Sequence, residues 1–326
     1  MFYYFSRFLI RLALPIYLKR FCISGLDKLP KGSPLLIASN HPDSFFDALV
    51  IGSVLTRPIH TLTRGDVFKK PAVAFWLRQI NLIPVFRGSE GRQYVKNHDN
   101  TSQQGNDALK KGDAVVVFSE GICVNEWRLR PLGKGTARMA YKIWYGDDAL
   151  KNMKVIPTGA NYEHFRGPGK RVKLNFGAAI SQEDITTDPA EYEKWLREFN
   201  EILDQRMNQE ILTIPADLPR DEHLRRLNAF FADCPVPPRG NALARAIGSF
   251  GRLIHSPVYS FFVNKTKKLT GRSVFYDSVL FGLLIYLYPV LVGLLSLILG
   301  GFAGWPAGVG LFIALPLLAF AGSRYR

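Results

Sequence analysis

The sequence predicts an α/β protein. A largely parallel or mixed sheet flanked by helices is preceded by an interfacial helix and followed by a transmembrane helical hairpin. Three observations carry this. Between residues 33 and 180, short apolar runs alternate with segments of helical spacing, the pattern of strands joined by crossover helices. From Ser278 to Ser323 there is no Asp, Glu, Lys, Arg or His, a stretch roughly twice the ~20 residues that span a bilayer. Residues 1–23 mix Phe, Tyr, Leu and Ile with Arg7, Arg11, Lys19 and Arg20, which suits a helix lying in a membrane interface as well as an amphipathic helix packed on the domain.

In chain order, "SPLLIASNH" (33–41) reads as a buried strand ending in polar residues. "DSFFDALVIGSVL" (43–55) has helical spacing, with Pro42 just ahead of its first turn. "IHTLTR" (59–64) and "LIPVFR" (82–87) read as strands on either side of a helix over 71–80 that opens on Pro71. A polar helix runs through 106–111, and "AVVVFSEG" (114–121) is the clearest buried strand. A helix over 135–145, strands over 154–162 and 171–180, and a long amphipathic helix over 191–212 complete the set. Residues 213–272, rich in Arg and Pro, read as short connecting helices.

This divides the chain into a membrane-interface helix (1–24), a catalytic domain (25–212), a helical connector (213–272) and a two-span hairpin (273–326), broken by Gly300, Gly301, Gly304 and Pro306. The second span is near the lower length limit for crossing. Lys265, Lys267, Lys268 and Arg272 precede the hairpin and Arg324 and Arg326 follow it. The positive-inside rule then places both hairpin ends, and the catalytic domain, on the cytoplasmic face. No small-residue cleavage site follows the N-terminal segment, so it does not read as a cleaved signal peptide.

Across 326 residues, 42 Lys and Arg against 27 Asp and Glu give a formal charge of +15. Such an excess suits nucleic acid, an anionic membrane or a phosphorylated substrate. No nucleic-acid motif is visible, and the apolar tail favours a membrane. Cys22, Cys123 and Cys234 lack metal-type spacing and read as reduced thiols in a cytosol-facing protein, with Cys123 as a wall residue. There is no dinucleotide fingerprint and no paired-His zinc motif. Gly133–Lys134–Gly135–Thr136 lacks the leading Gly of a phosphate loop, and Gly248–Ser249–Phe250–Gly251 follows Ile247 where a hydrolase elbow needs Gly.

The richest stretch for chemistry is "SNHPDSFFDALV". His41 stands where a strand meets a helix, and Asp47 lies about one turn into that helix. A carboxylate holding one imidazole nitrogen leaves the other to accept a proton; alternatively, Asp47 simply favours the helix's positive end. Asp43 reads as the helix cap. Arg87, after an apolar strand, suits a phosphate, or a surface salt bridge. Glu120 and Gly121 close the buried strand; Gly permits close backbone approach, and Glu can bind a hydroxyl or fix Arg87. Arg128, Arg130, Lys134 and Arg138 follow.

Four stretches, in this order, resemble the blocks of the glycerolipid acyltransferase superfamily: "NHPDSFFD", "LTRGDVFKK…NLIPVFRG", "VFSEGI" and "VIPTGANY". The resemblance covers about residues 20–180. It implies that His41 is the base and Asp47 its partner. It also implies that Arg87, with Glu120 and Gly121, holds the acceptor's phosphate, with Arg64 and Lys69 or Lys70 adding positive field. Pro157 would shape the acyl-donor or core region. The implied reaction moves a fatty acyl group from acyl-CoA or acyl carrier protein, as co-substrate, onto lysophosphatidate or glycerol-3-phosphate, with no metal or cofactor. Anionic membrane lipids are the implied surroundings. The sequence departs from the pattern in three places. Five residues (Pro42, Asp43, Ser44, Phe45 and Phe46) separate His41 from Asp47 instead of four, Ser119 replaces the common Pro, and Ile122–Cys123–Val124 replaces Thr-Arg-Ser.

Overall fold

The computed structural model describes residues 1–85, 96–238 and 240–325, with side chains of 96–100 excepted. Its centre is a seven-stranded sheet. The strands are β1 (Arg20–Ser24), β2 (Leu35–Ser39), β3 (Ile59–Arg64), β4 (Leu82–Val85), β5 (Ala114–Phe118), β6 (Lys154–Tyr162) and β7 (Arg171–Phe176). Their spatial order is β1-β7-β6-β2-β5-β3-β4. β6, β2, β5, β3 and β4 run parallel, β7 is antiparallel to β6, and β1 is parallel to β7. The mixed sheet is the expected one, and the boundaries of β3 and β6 coincide with those read from the apolar runs.

β2 lies near the middle and is buried at every position, which is why it carries no polar alternation. Its side chains still alternate between layers. Leu35 and Ile37 pack with helix α1 (Phe2–Tyr17), helix α2 (Phe45–Val54) and Phe281 and Ile285 of helix α9 (Tyr276–Ala303). Leu36 and Ala38 face the other way, towards α5 (Gly135–Tyr145) and α6 (Tyr192–Glu210), where Trp144, Trp195 and Phe199 are fully buried. Other helices before the long C-terminal ones are α3 (Pro71–Gln79), α4 (Lys96–Lys110) and α7 (Arg220–Phe230).

Helix α1 is amphipathic and packs on the domain, as in one of the two readings expected of it. Ile10, Leu14 and Tyr17 are buried on its inner side, while Tyr4, Phe5, Phe8 and Leu12 are exposed. Arg11 donates to the carbonyls of Ser53 (2.8 Å) and Leu55 (3.1 Å), and Arg7 to that of Thr56 (3.3 Å). Cations at these orphan carbonyls oppose the negative end of α2.

Several expectations are corrected. Residues 20–24, read as the end of the interfacial segment, form the edge strand β1. The strand expected over 171–180 ends at Phe176, with Ile180 returning to bridge Val155. The connector is not a set of short helices: after α7 it contains the 29-residue α8 (Ala242–Thr270), which runs through Pro257 and packs along the C-terminal helix α10 (Trp305–Arg324). Gly251 makes that crossing possible, since a Cβ there would stand 2.2 Å from the Leu318 carbonyl oxygen. Cys22 and Cys234, read as reduced thiols, form a disulfide that ties β1 to the segment after α7, with their Cα atoms 5.8 Å apart. Cys234 is fully buried, which shields the bridge from reductants.

α9 and α10 are joined by Gly304 alone, at φ +88°. Both are long and apolar enough to cross a membrane. Their outward side chains, Leu297, Phe302, Trp305 and Leu317 among them, are exposed, as helices facing lipid would leave them.

Candidate active site

The five parallel strands all point their C-terminal ends to one edge, the usual place for a site in an open α/β sheet. His41 follows β2, Glu120 follows β5, and Arg64 ends β3. β2 and β5 are paired to Ser39 and Phe118, so His41 and Glu120 leave neighbouring strands at the same level, whereas β3 pairs with β5 only as far as Thr61, three residues before Arg64. β4 ends at the same edge. Arg87, just beyond it, lies outside the described residues.

His41 Nδ1 is 2.9 Å from Asp47 Oδ2. A carboxylate can only accept, so Nδ1 carries the hydrogen and Nε2 is left with its lone pair. Nε2 has no hydrogen-bond partner among the described residues. The His41 side chain is 19% exposed while that of Asp47 is 0%, so the pair opens to solvent on the imidazole side. The ring stacks on Phe118, centroids 3.8 Å apart and planes 11° from parallel, which fixes its orientation.

Asp47 is held from three sides. Besides His41, Oδ2 accepts from the Asp43 amide (2.9 Å), and Oδ1 accepts from the Tyr162 hydroxyl (2.7 Å). Three hydrogen bonds hold the buried carboxylate in a single orientation. The Asp43 amide reaches it because the loop turns sharply at Ser44, whose φ is +55°, a conformation side-chain-bearing residues adopt at some cost. The Ser44 amide donates to Cys123 Sγ (3.0 Å). Cys123 is thus a wall residue as expected, and burial pushes its thiol far up, away from a nucleophilic thiolate.

The reading of Asp43 as a helix cap is corrected. Its carboxylate turns away from the α2 amides because Lys170 takes it, with Nζ 2.7 Å from Oδ2. Lys170 also bonds Asp277 of α9. Burial and the nearby Asp277 and Asp47 push the Asp43 carboxyl up, against the pull of Lys170.

Glu120 accepts from the Arg130 amide (3.2 Å). Burial raises it to about 7, although the Arg130 and His41 amides pull it down. It therefore exchanges protons near neutrality, beside the imidazole's backbone. Gly121 adopts φ +69° in the turn after β5. The segment beyond it seals against the His41 loop through Val124 N to His41 O (3.3 Å) and Asn125 Nδ2 to Pro42 O (2.5 Å).

The basic residues are unevenly available. Arg64 is paired with Asp66 at 2.6 Å on an exposed turn, and Lys69 is exposed just after it. Arg128 and Arg130 share Glu126, and Lys134 pairs with Glu193. Pro157 sits inside β6, beside Ala38 of β2. Among the described residues, no three of His, Cys, Asp and Glu gather as a metal-binding group. Sequence reasoning missed Tyr162, although it ends the fourth block. It also missed Lys170 and Asp277, the last acid before the uncharged run.

A strand-end imidazole steadied by a buried carboxylate, its partly exposed ring keeping the other nitrogen unbonded among the described residues, has the geometry that a general base needs. Residues 20–160 match the model of a family described as Acyltransferase. That segment runs from β1 into β6 and contains His41, Asp47, Glu120 and Gly121. Residues 20–160 are thus an acyltransferase-family domain, and the recognition of an acyltransferase in the sequence blocks is borne out. Among solved structures, the chain is similar to the crystal structure of the 1-acyl-sn-glycerophosphate (LPA) acyltransferase, PlsC, from Thermotoga maritima, at 18% identity and a TM-score of 0.41, over 59% of this chain and 72% of that one. No curated protein matches the sequence.

Proposed function

We propose that the protein is a membrane-attached O-acyltransferase. In this reading it moves a fatty acyl group from acyl-CoA or acyl carrier protein to a hydroxyl of lysophosphatidate or glycerol-3-phosphate. The observation that carries this is the His41–Asp47 pair, with Nε2 open, inside the acyltransferase-family segment.

His41 Nε2 takes the proton of the acceptor hydroxyl as its oxygen attacks the thioester carbonyl. Asp47 stabilises the imidazolium. The tetrahedral intermediate collapses, the C–S bond breaks, and the imidazolium proton goes to the departing thiolate. An ester and a free thiol result, with His41 returned neutral. No covalent enzyme intermediate is needed. The acceptor's phosphate is assigned to Arg87 together with Gly121, with Arg64 and Lys69 contributing field. Glu120, near half-protonated at neutral pH, suits a hydroxyl better than a phosphate, since a carboxylate repels an anion.

The exposed aromatic side of α1, the two apolar helices and the net charge of +15 support attachment to an anionic membrane. The Lys and Arg flanking the hairpin support a cytoplasmic catalytic face, whereas the Cys22–Cys234 disulfide is of a kind that persists in oxidising surroundings. The test is purified, lipid-reconstituted protein supplied with labelled acyl-CoA or acyl carrier protein and a panel of acceptors, products resolved by mass. Ester formation that requires lysophosphatidate or glycerol-3-phosphate is expected. Release of free fatty acid without acceptor dependence would replace acyl transfer with hydrolysis.

A further inference from the structure

The C-terminal hairpin reads first as an anchor, yet its opening turn reaches the loop that bears the base. Asp277 lies in the first turn of α9 and is 0% exposed, as is Lys170, while Asp43 is 1% exposed. Lys170 Nζ stands between the two carboxylates, bonded to Asp43 Oδ2 at 2.7 Å and to Asp277 Oδ2. The other Asp277 oxygen accepts from the Gly167 amide at 2.7 Å. The connection between β6 and β7 therefore grips the start of the hairpin and passes a charge to the His41 loop.

Ser278, the next residue, makes a second link. Its Oγ accepts from the Phe46 amide at 3.0 Å. Asp43 and Phe46 lie on either side of the problem that catalysis poses. The Asp43 amide bonds the same Asp47 oxygen that holds His41 Nδ1, and Phe46 directly precedes Asp47. Lys170 also lies 4.8 Å from the ring centroid of Tyr162, the third partner of Asp47, and 5.2 Å from that of Phe46. Two adjacent hairpin residues thus fix the chain before and beside the carboxylate that orients the base.

An anchor alone does not call for this. An apolar helix docks without charge, and a buried ion pair contributes little net stability over apolar residues of similar volume. An acid in the first turn of a helix is well placed when it faces water, but Asp277 is 0% exposed and so has to be paired inside the protein. What a buried, hydrogen-bonded charge cluster supplies is a single geometry.

We propose that Asp277 and Ser278 are positioning residues for acyl transfer, holding the His41–Asp47 pair in register through Lys170, Asp43 and the Phe46 amide. This deepens the acyltransferase reading and rests on it. Displacing a catalytic group by about 1 Å can cost about 10²-fold in rate, and these two side chains bond Lys170, Gly167 and Phe46, not His41 itself.

The test uses the full chain in lipid nanodiscs with acyl-CoA and its acceptor, comparing wild type, Asp277→Asn, Ser278→Ala and His41→Ala. Asp277→Asn is expected to lower kcat by about 10- to 100-fold, with KM for donor and acceptor within about twofold of wild type. Ser278→Ala, which removes one hydrogen bond, is expected to lower kcat by about 3- to 10-fold, again with KM held. It keeps the proposal testable should Asp277→Asn fail to fold. Folded Asp277→Asn or Ser278→Ala protein with wild-type kcat, or with only KM or melting temperature altered, would overturn it. Full activity in His41→Ala would instead remove the base itself, whereas an inactive His41→Ala beside fully active Asp277→Asn and Ser278→Ala would overturn the positioning role alone.

Discussion

Asp43, in the loop before α2, and Asp47, in the first turn of that helix, sit four residues apart, and each carboxylate meets a nitrogen base, but the two bases differ in access to water. His41, on Asp47, keeps 19% of its side chain exposed and one nitrogen open. Lys170, on Asp43, is 0% exposed and enclosed by a second carboxylate and two aromatic rings. An exposed base with a spare lone pair can exchange a proton with substrate; an enclosed ammonium can only hold geometry. Residue type does not separate chemistry from architecture here, while solvent access does.

The comparison is broken most sharply at Asp47. Asn there preserves shape but turns the imidazole's partner into one that no longer demands the Nδ1–H tautomer. Steady-state assay of acyl transfer should show kcat lower by about 10³- to 10⁴-fold with little change in melting temperature. Lys170→Met should do the reverse in kind, striking stability first. It leaves Asp43 and Asp277 buried without their cation, and denaturant unfolding in detergent should show a loss of about 3–5 kcal/mol.

Glu120 sharpens the contrast through pH. Its folded value, raised to about 7, exceeds the 4.5 of a free side chain. The folded protein therefore keeps a proton that the unfolded chain has released, and stability falls as pH climbs from about 4.5 to about 7, with the full penalty present above that. Glu120→Gln abolishes the penalty, so its gain in melting temperature should be larger near pH 8 than near pH 5. Equal gains at both would contradict the assignment. Tyr162→Phe gives the smallest effect expected: loss of one hydrogen bond to Asp47, worth about 1 kcal/mol, seen as a severalfold fall in kcat.

His41 and Glu120 were legible as neighbours because each comes just after a strand whose apolar run is unmistakable, which places it at the sheet edge, and Asp47 because helical spacing puts it in the first turn of α2. Helix α5 and strands β3 and β6 were bounded correctly for the same reason. Tyr162 and Lys170 were not legible as partners, since their bonds to Asp47 and Asp43 span 115 and 127 residues, and nothing local encodes such a meeting. Strand β1 escaped because an edge strand with little burial has no alternating pattern to display. The length of α8 was hidden by Pro257, which its packing against α10 overrides. Asp277 carried no such signal either, since an acid in the first turn of a helix is an ordinary placement.

Acyl transfer by purified, lipid-reconstituted His41→Ala protein, with its fold checked by circular dichroism, bears most directly on the base at Nε2. A loss of at least about 10²-fold in product formation is expected, at unchanged helix content. Turnover at the wild-type rate would contradict it.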